Sequence, residues 1–176
     1  MKWIFDTWLN WLDRITLFPG FLGLVIGVGV CVWLFRRRNQ RFAPALTPDG
    51  QMLKLDYAGL LQTLDKLGVH RKHYAITQVT LDVAFPILYS LLFGWLIALG
   101  TGANWGWLAV LPLITACADL IENTTMAWLA WTGSEFEKKK PKLAWVTLLA
   151  GKTKMLLFCL SLFVAVISLL AAALGC

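Results

Sequence analysis

The sequence is poor in charged residues, in histidine and in closely spaced cysteines. Charged residues make up 15% of its 176 residues, against roughly 25% in soluble domains. The four cysteines include no CxxC pair, and the spacing of cysteines and histidines fits no established zinc, haem or disulfide pattern. No Gly-x-Ser-x-Gly motif or phosphate-binding glycine loop occurs. These absences argue against the common soluble hydrolases, nucleotide-binding enzymes and zinc proteins.

Apolar and aromatic residues dominate the chain instead. Hydrophobic residues account for 59% of it, and the mean hydropathy is +0.67. Ten tryptophans are present, and membrane proteins concentrate this residue at the two water–lipid boundaries. We therefore expect a single all-α integral membrane domain over residues 1–176, in direct contact with the lipid bilayer.

Basic residues are confined almost entirely to two segments. Fourteen of the sixteen Lys and Arg lie within residues 36–74 and 138–154. Because lysine and arginine concentrate in cytoplasmic loops, both segments are predicted to face the cytoplasm. We expect a bacterial inner-membrane protein whose two termini lie outside. Topology already accounts for the net charge of +6, so we predict no nucleic-acid partner.

Hydrophobic runs and helical periodicity predict four transmembrane helices and two amphipathic helices. A tryptophan stripe over residues 1–16 predicts an N-terminal interfacial helix. The leucines of the basic segment 36–73 predict a short cytoplasmic amphipathic helix that does not span. The predicted spans are residues 17–35, 74–99, 105–131 and 143–174, with an uncharged hairpin loop at residues 100–104.

Gly23 and Gly27 form a GxxxG pattern within the first span. Small residues at this spacing let a second helix approach closely. The approaching helix is either a neighbour in the same bundle, which we favour, or a helix of another subunit. The second case includes a homo-oligomer of this chain.

Three carboxylates interrupt the apolar spans, namely Asp82, Asp119 and Glu122, and Asn123 follows the last of them. An ionised carboxylate at mid-membrane costs at least about 2.5–3.5 kcal/mol, so such residues face a partner or a cavity. A rise of about 1.5 Å per residue places all four side chains in the cytoplasmic half of two antiparallel neighbours. We therefore expect one connected polar site inside the bundle.

Further residues are predicted to join this site. Pro86 lacks an amide hydrogen, which leaves the carbonyl of Asp82 without its helical donor and available to bind something else. Tyr89 shares a helix face with Asp82. Lys152 and Lys154 precede the continuously apolar part of the fourth span. We expect the tyrosine and both lysines to complete a ligand-binding site with the carboxylates and Asn123.

The two histidines are a second candidate cluster. His70 and His73 lie three residues apart, so they share a helix face as two metal ligands would. Arg71 and Lys72 lie between them, and an interfacial polar patch is therefore the interpretation we favour. The sequence predicts no metal site and identifies no cofactor.

The central polar residues belong to two short patterns, LDxxFPxxY at residues 81–89 and ADxxEN at residues 118–123. Together these resemble a group of small uncharacterised bacterial four-helix membrane proteins. The resemblance covers the two central spans and part of the segment 57–74. It implies a four-helix membrane fold and no particular activity.

Three interpretations of the polar site remain open. It is a buried network that fixes helix register, a site for a phospholipid or lipid-linked ligand, or a path for protons or ions. We expect a small membrane subunit or lipid-associated binding protein with an acidic site near the cytoplasmic leaflet. A membrane-embedded enzyme acting on a lipid-linked substrate is the first alternative. A proton- or ion-translocating protein is the second.

Overall fold

A computed structural model describes residues 18–42, 48, 52–133 and 142–174. Five α-helices follow one another within these residues: α1 (Phe18–Phe42), α2 (Tyr57–Lys66), α3 (Arg71–Trp105), α4 (Val110–Thr132) and α5 (Lys142–Leu174). Two short 3-10 turns, Gly68–His70 and Gly106–Ala109, lead into α3 and α4. The predicted interfacial helix at residues 1–16 lies outside the described residues.

Four stretches of helix are long and apolar enough to cross a membrane: Gly20–Gln40, Gly68–Thr101, Trp107–Thr132 and Lys142–Leu174. Many of their large apolar side chains point outward, including Ile26, Leu149 and Leu156. Leucine and isoleucine on the outside of a helix bundle are suited to contact with lipid. A helix also forms all its backbone hydrogen bonds internally, as a lipid environment requires. The prediction of an all-α fold with four spanning-length helices is confirmed for the described residues.

Helix α1 extends beyond residue 35, where the first span was predicted to end. It continues through three arginines to Phe42, because arginine is a good helix former and no glycine or proline intervenes. Among the side chains of this helix that the structure describes, the buried ones are Leu24, Cys31 and Arg38, spaced seven apart. Helix α1 packs mainly against α3, so this stripe carries an arginine into the bundle.

The predicted hairpin loop at residues 100–104 is wrong, because α3 continues through it to Trp105. The segment contains small and polar residues but no proline, and only proline removes a helical hydrogen bond outright. The turn falls instead at Gly106–Ala109, and the next helix begins at residue 110 rather than 105. Pro112 lies in the first turn of α4, where its missing amide hydrogen costs nothing.

Helices α3 and α5 touch backbone to backbone at Gly100. A Cβ atom built there would lie 1.9 Å from the carbonyl oxygen of Ser168, a separation that no side chain can occupy. Ile97 and Ala165 are fully buried beside this contact. Close packing of the two helices therefore requires a glycine at position 100, although glycine has a low helix propensity.

Only one of the two glycines in the GxxxG pattern of α1 contacts another helix among the described residues. A Cβ on Gly27 would lie 3.3 Å from the Leu88 side chain of α3, whereas nothing lies within 4 Å of the corresponding position on Gly23. The favoured prediction of packing within the bundle therefore holds for Gly27 alone.

Two apolar cores lie at opposite ends of the bundle. The larger core joins α2 to the start of α3, the end of α4 and the start of α5 through Leu60, Leu64, Tyr74, Met126 and Leu148. Helix α2 is fixed by Asp56, whose carboxylate accepts a hydrogen bond of 2.7 Å from the Gly59 amide. The smaller core lies at the other end of α3. Buried charged residues occupy the level between the two cores.

Candidate functional site

The predicted carboxylates meet between the two apolar cores, where α1, α3, α4 and α5 converge. Asp82 of α3 is buried, as are Asp119 and Glu122 of α4. The spacing of three residues puts both α4 carboxylates on one helix face. Asn123 is buried beside them, so the four side chains predicted to meet inside the bundle do so.

Lys154 of α5 pairs with both carboxylates of α4. Its Nζ atom lies 2.5 Å from Glu122 Oε2 and 3.2 Å from Asp119 Oδ1. Glu122 is 1% exposed, so its carboxylate has almost no contact with the medium outside the protein. One ammonium therefore bridges two buried carboxylates, and it satisfies the requirement that a buried charge be paired.

Arg38 of α1 forms a buried ion pair with Asp82. Its guanidinium also lies over the rings of Phe35 and Tyr74, at 5.1 and 5.8 Å from their centroids. Such cation–π contacts suit arginine in a poorly solvated position. The sequence did not predict a role for this residue, because Arg38 lies among other arginines in the basic segment predicted to face the cytoplasm. The signal was that Leu24, Cys31 and Arg38 follow one another at intervals of seven residues.

Asn123 joins the two ion pairs. Its Nδ2 atom donates to the backbone carbonyl of Asp82 at 2.5 Å and to Asp119 Oδ1 at 3.0 Å. The first bond is possible because Pro86, four residues later, cannot donate to that carbonyl. The prediction that the carbonyl released by proline would bind another group is confirmed. The proline and the asparagine are thus complementary parts of one contact between α3 and α4.

Tyr89 closes the site on the side of the smaller apolar core. Its hydroxyl donates to Asp119 Oδ2 at 3.2 Å, as the shared face with Asp82 predicted for a site residue. Its ring packs edge-on against Phe85 and Phe158, with centroids 5.2 and 5.1 Å away. The tyrosine therefore marks the boundary between the ionic residues and an aromatic wall.

Lys152 does not join the cluster. It is exposed on α5, and two residues correspond to about 200° of helical rotation. Since Lys154 points inward, Lys152 must point away from the bundle. The prediction that both lysines join the site is therefore wrong for Lys152, because residues two apart on a helix cannot face the same carboxylates.

A cavity of about 370 Å³ opens onto the ionic residues. Its polar lining consists of Arg38, Asn39, Asp82, Asp119, Asn123 and Lys154. Its apolar lining consists of Phe35, Phe85, Met155 and Phe158. The cavity is only partly enclosed, and it lies between α1 and α5, both of which pack on α3. The lining of this cavity thus combines charged groups with aromatic rings.

Glu122 lies behind the cavity rather than on its surface. A Cβ atom on Gly151 would come within 3.0 Å of Glu122 Oε1 and 2.6 Å of Met52 Cγ. Met52 precedes α2 and is 3% exposed, so it packs against α5 at Gly151, next to this carboxylate. Nothing in the sequence pattern indicated that contact.

Polar pairing between α4 and α5 continues beyond the ionic residues. The hydroxyl oxygens of Thr115 and Ser161 lie 3.1 Å apart, and both residues are fully buried. Hydrogen bonds of this kind hold helices together where no water competes. They leave the orientation of α5, and therefore of Lys154, well determined.

The remaining candidate cluster is separate from this site. His70 and His73 are exposed near the start of α3. Among the described residues, no group of three or more His, Cys, Asp or Glu is arranged to hold a metal ion. Comparison with family models, with curated proteins and with solved structures found no match to this chain. The resemblance carried by LDxxFPxxY and ADxxEN stays a prediction.

Proposed function

We propose that this chain is an integral membrane protein that binds an amphiphilic lipid in the cavity between α1 and α5. The observation that carries the proposal is a cavity lining that combines ionic side chains with aromatic ones. A phospholipid or lipid-linked molecule offers matching chemistry, because its polar head group adjoins an apolar chain.

Size and access both favour such a ligand. The volume of about 370 Å³ lies within the range of roughly 300–1,000 Å³ that small-molecule sites occupy. This is room for a head group rather than for a whole lipid, so the chains would lie along the open side. Phe35, Phe85 and Phe158 line the cavity and offer apolar contact to a chain.

The cavity also favours binding over a purely structural role. A network that only fixed helix register would gain from complete packing around its ion pairs, because buried polar groups need full satisfaction. Here Arg38, Asp82, Asp119 and Lys154 all border open space. The pairs hold the helices together, and the space beside them is available to a ligand.

The orientation proposed from the basic segments can be tested with reporters. If residues 36–73 and the lysines near residue 140 face the cytoplasm, a reporter active only in the cytoplasm should be inactive when fused after Cys176 and active when inserted at Gly50. The opposite pair of results would place the polar site in the outer leaflet.

Lipid binding is tested by filling the cavity. Met155→Trp adds a large ring to the lining, whereas Leu156→Trp adds the same ring at a side chain that is 72% exposed. Native mass spectrometry of the protein released from phospholipid nanodiscs counts the retained lipids. We expect Met155→Trp to lower retention at least about tenfold, equivalent to about 1.4 kcal/mol, and Leu156→Trp to leave it unchanged. Equal retention by both variants and the unmodified protein would refute a lipid site in this cavity.

A further inference from the structure

The charges on the cavity wall narrow the class of lipid. We infer that the ligand is a phospholipid whose head group is zwitterionic, carrying one phosphate and one ammonium. This inference rests on the proposed lipid-binding function, and it adds the chemistry that would select one head group over another.

The charges around the cavity disfavour an anionic head group. Arg38 and Asp82 form one ion pair on the side of α1 and α3, and Lys154 and Asp119 form a second on the side of α4 and α5. These four are the charged residues among the described residues that line the cavity. Glu122, behind the wall, shares Lys154 with Asp119, so the ionic cluster as a whole carries a formal charge of minus one. A zwitterionic head group leaves that charge unchanged. An anionic head group adds a net charge inside a poorly solvated space, which is unfavourable.

Each half of a zwitterion finds a matching group on the wall. A phosphate can accept charge-assisted hydrogen bonds from the guanidinium of Arg38 and the ammonium of Lys154. An ammonium can approach Asp82 and Asp119, and it can also lie over an aromatic ring. Both carboxylates border the cavity together with Phe35, Phe85 and Phe158.

The aromatic lining already holds a cation in this way. The guanidinium of Arg38 lies 5.1 Å from the centroid of the Phe35 ring. Phe85 stands edge-on to Phe35 at 5.2 Å, and Phe158 of α5 also lines the cavity. Ring faces together with carboxylates are the usual means by which proteins recognise ammonium groups. A site that bound only a phosphate would require neither aromatic ring faces nor carboxylates.

The test compares two phospholipids that differ only in the head group. The full-length protein is placed in nanodiscs of equal parts phosphatidylethanolamine and phosphatidylglycerol with identical chains, and the retained lipids are identified by native mass spectrometry. We expect phosphatidylethanolamine to be enriched about tenfold, the scale of one extra charge interaction at a poorly solvated site. Asp119→Asn removes a carboxylate that the ammonium would approach and cancels the net negative charge of the cluster, so it should abolish the preference.

Asp82→Asn removes one negative charge from the α3 side of the cavity, as Asp119→Asn does from the α4 side. A second variant of this kind keeps the test valid if one of the two misfolds. Asp65→Asn removes a carboxylate that pairs with Arg71 at 3.8 Å outside the cavity, and it should leave the preference unchanged. Equal retention of both lipids, blocked by Met155→Trp, would overturn the head-group inference and leave lipid binding standing. A preference that persists in both asparagine variants would overturn it as well. Retention unaffected by Met155→Trp would instead overturn the proposed function.

Discussion

Replacing Lys154 with methionine should lower the free energy of unfolding by about 3–5 kcal/mol, the usual cost of removing one partner of a buried ion pair. The ammonium lies 2.5 Å from Glu122 and 3.2 Å from Asp119, and both carboxylates are buried. Methionine keeps most of the chain length and removes the charge. Unfolding measured by steric trapping in bicelles gives the free energy directly.

The matched control lies two residues away on the same helix. Lys152 is exposed, and Lys152→Met should change the unfolding free energy by less than about 0.5 kcal/mol. Combining Lys154→Met with Asp119→Asn and Glu122→Gln should recover much of the loss, because deleting all the charges leaves none uncompensated. A loss below about 1 kcal/mol for Lys154→Met alone would mean that water, rather than lysine, compensates the carboxylates.

The meeting of Asp82 with Asp119, Glu122 and Asn123 could be predicted because it depends on simple regularities. Helical spacing fixed which α4 side chains share a face, and the cost of a charge in lipid fixed the direction in which they point. Pro86 added a specific partner, since the absence of one amide hydrogen released one carbonyl. Each inference used residues close in sequence or spans adjacent in the chain.

Arg38 and Lys152 show where that reasoning stops. Three consecutive arginines point in three directions about 100° apart, and only the phase of the buried stripe of α1 selects the inward one. The same phase argument separates Lys152 from Lys154. The clustering of basic residues predicts that all these residues lie near one boundary of the membrane, but it does not say which of them enters the bundle.

The cavity could not be predicted from the sequence at all. It exists because α1 and α5 both pack on α3 and leave space between them. Empty volume depends on how side chains from four helices fill the interior, and no single segment encodes it. The helical course of residues 100–104 was missed for a related reason, since the need for a glycine there arises from α5.

Replacing Gly100 with alanine should destabilise the protein by about 1–3 kcal/mol, the range for overpacking of a close-packed interior. The new Cβ would lie 1.9 Å from the carbonyl oxygen of Ser168 and 2.7 Å from its Cα. Both are backbone atoms, so the contact is relieved only if α3 and α5 separate. The sign is informative, because alanine in a helix is otherwise favoured over glycine by about 1 kcal/mol. Steric trapping again measures the change.

Gly29→Ala provides the matched control for the effect of helix propensity. Nothing lies within 4 Å of a Cβ at that position on α1, so the substitution should leave stability unchanged or raise it by up to about 1 kcal/mol. Opposite signs for two identical substitutions would establish that the helices touch at Gly100. If Gly100→Ala were as well tolerated as Gly29→Ala, α3 and α5 would have to lie farther apart at this level. The register of α5 would then have to come from the polar contacts alone, namely Thr115 with Ser161 and Lys154 with its carboxylates.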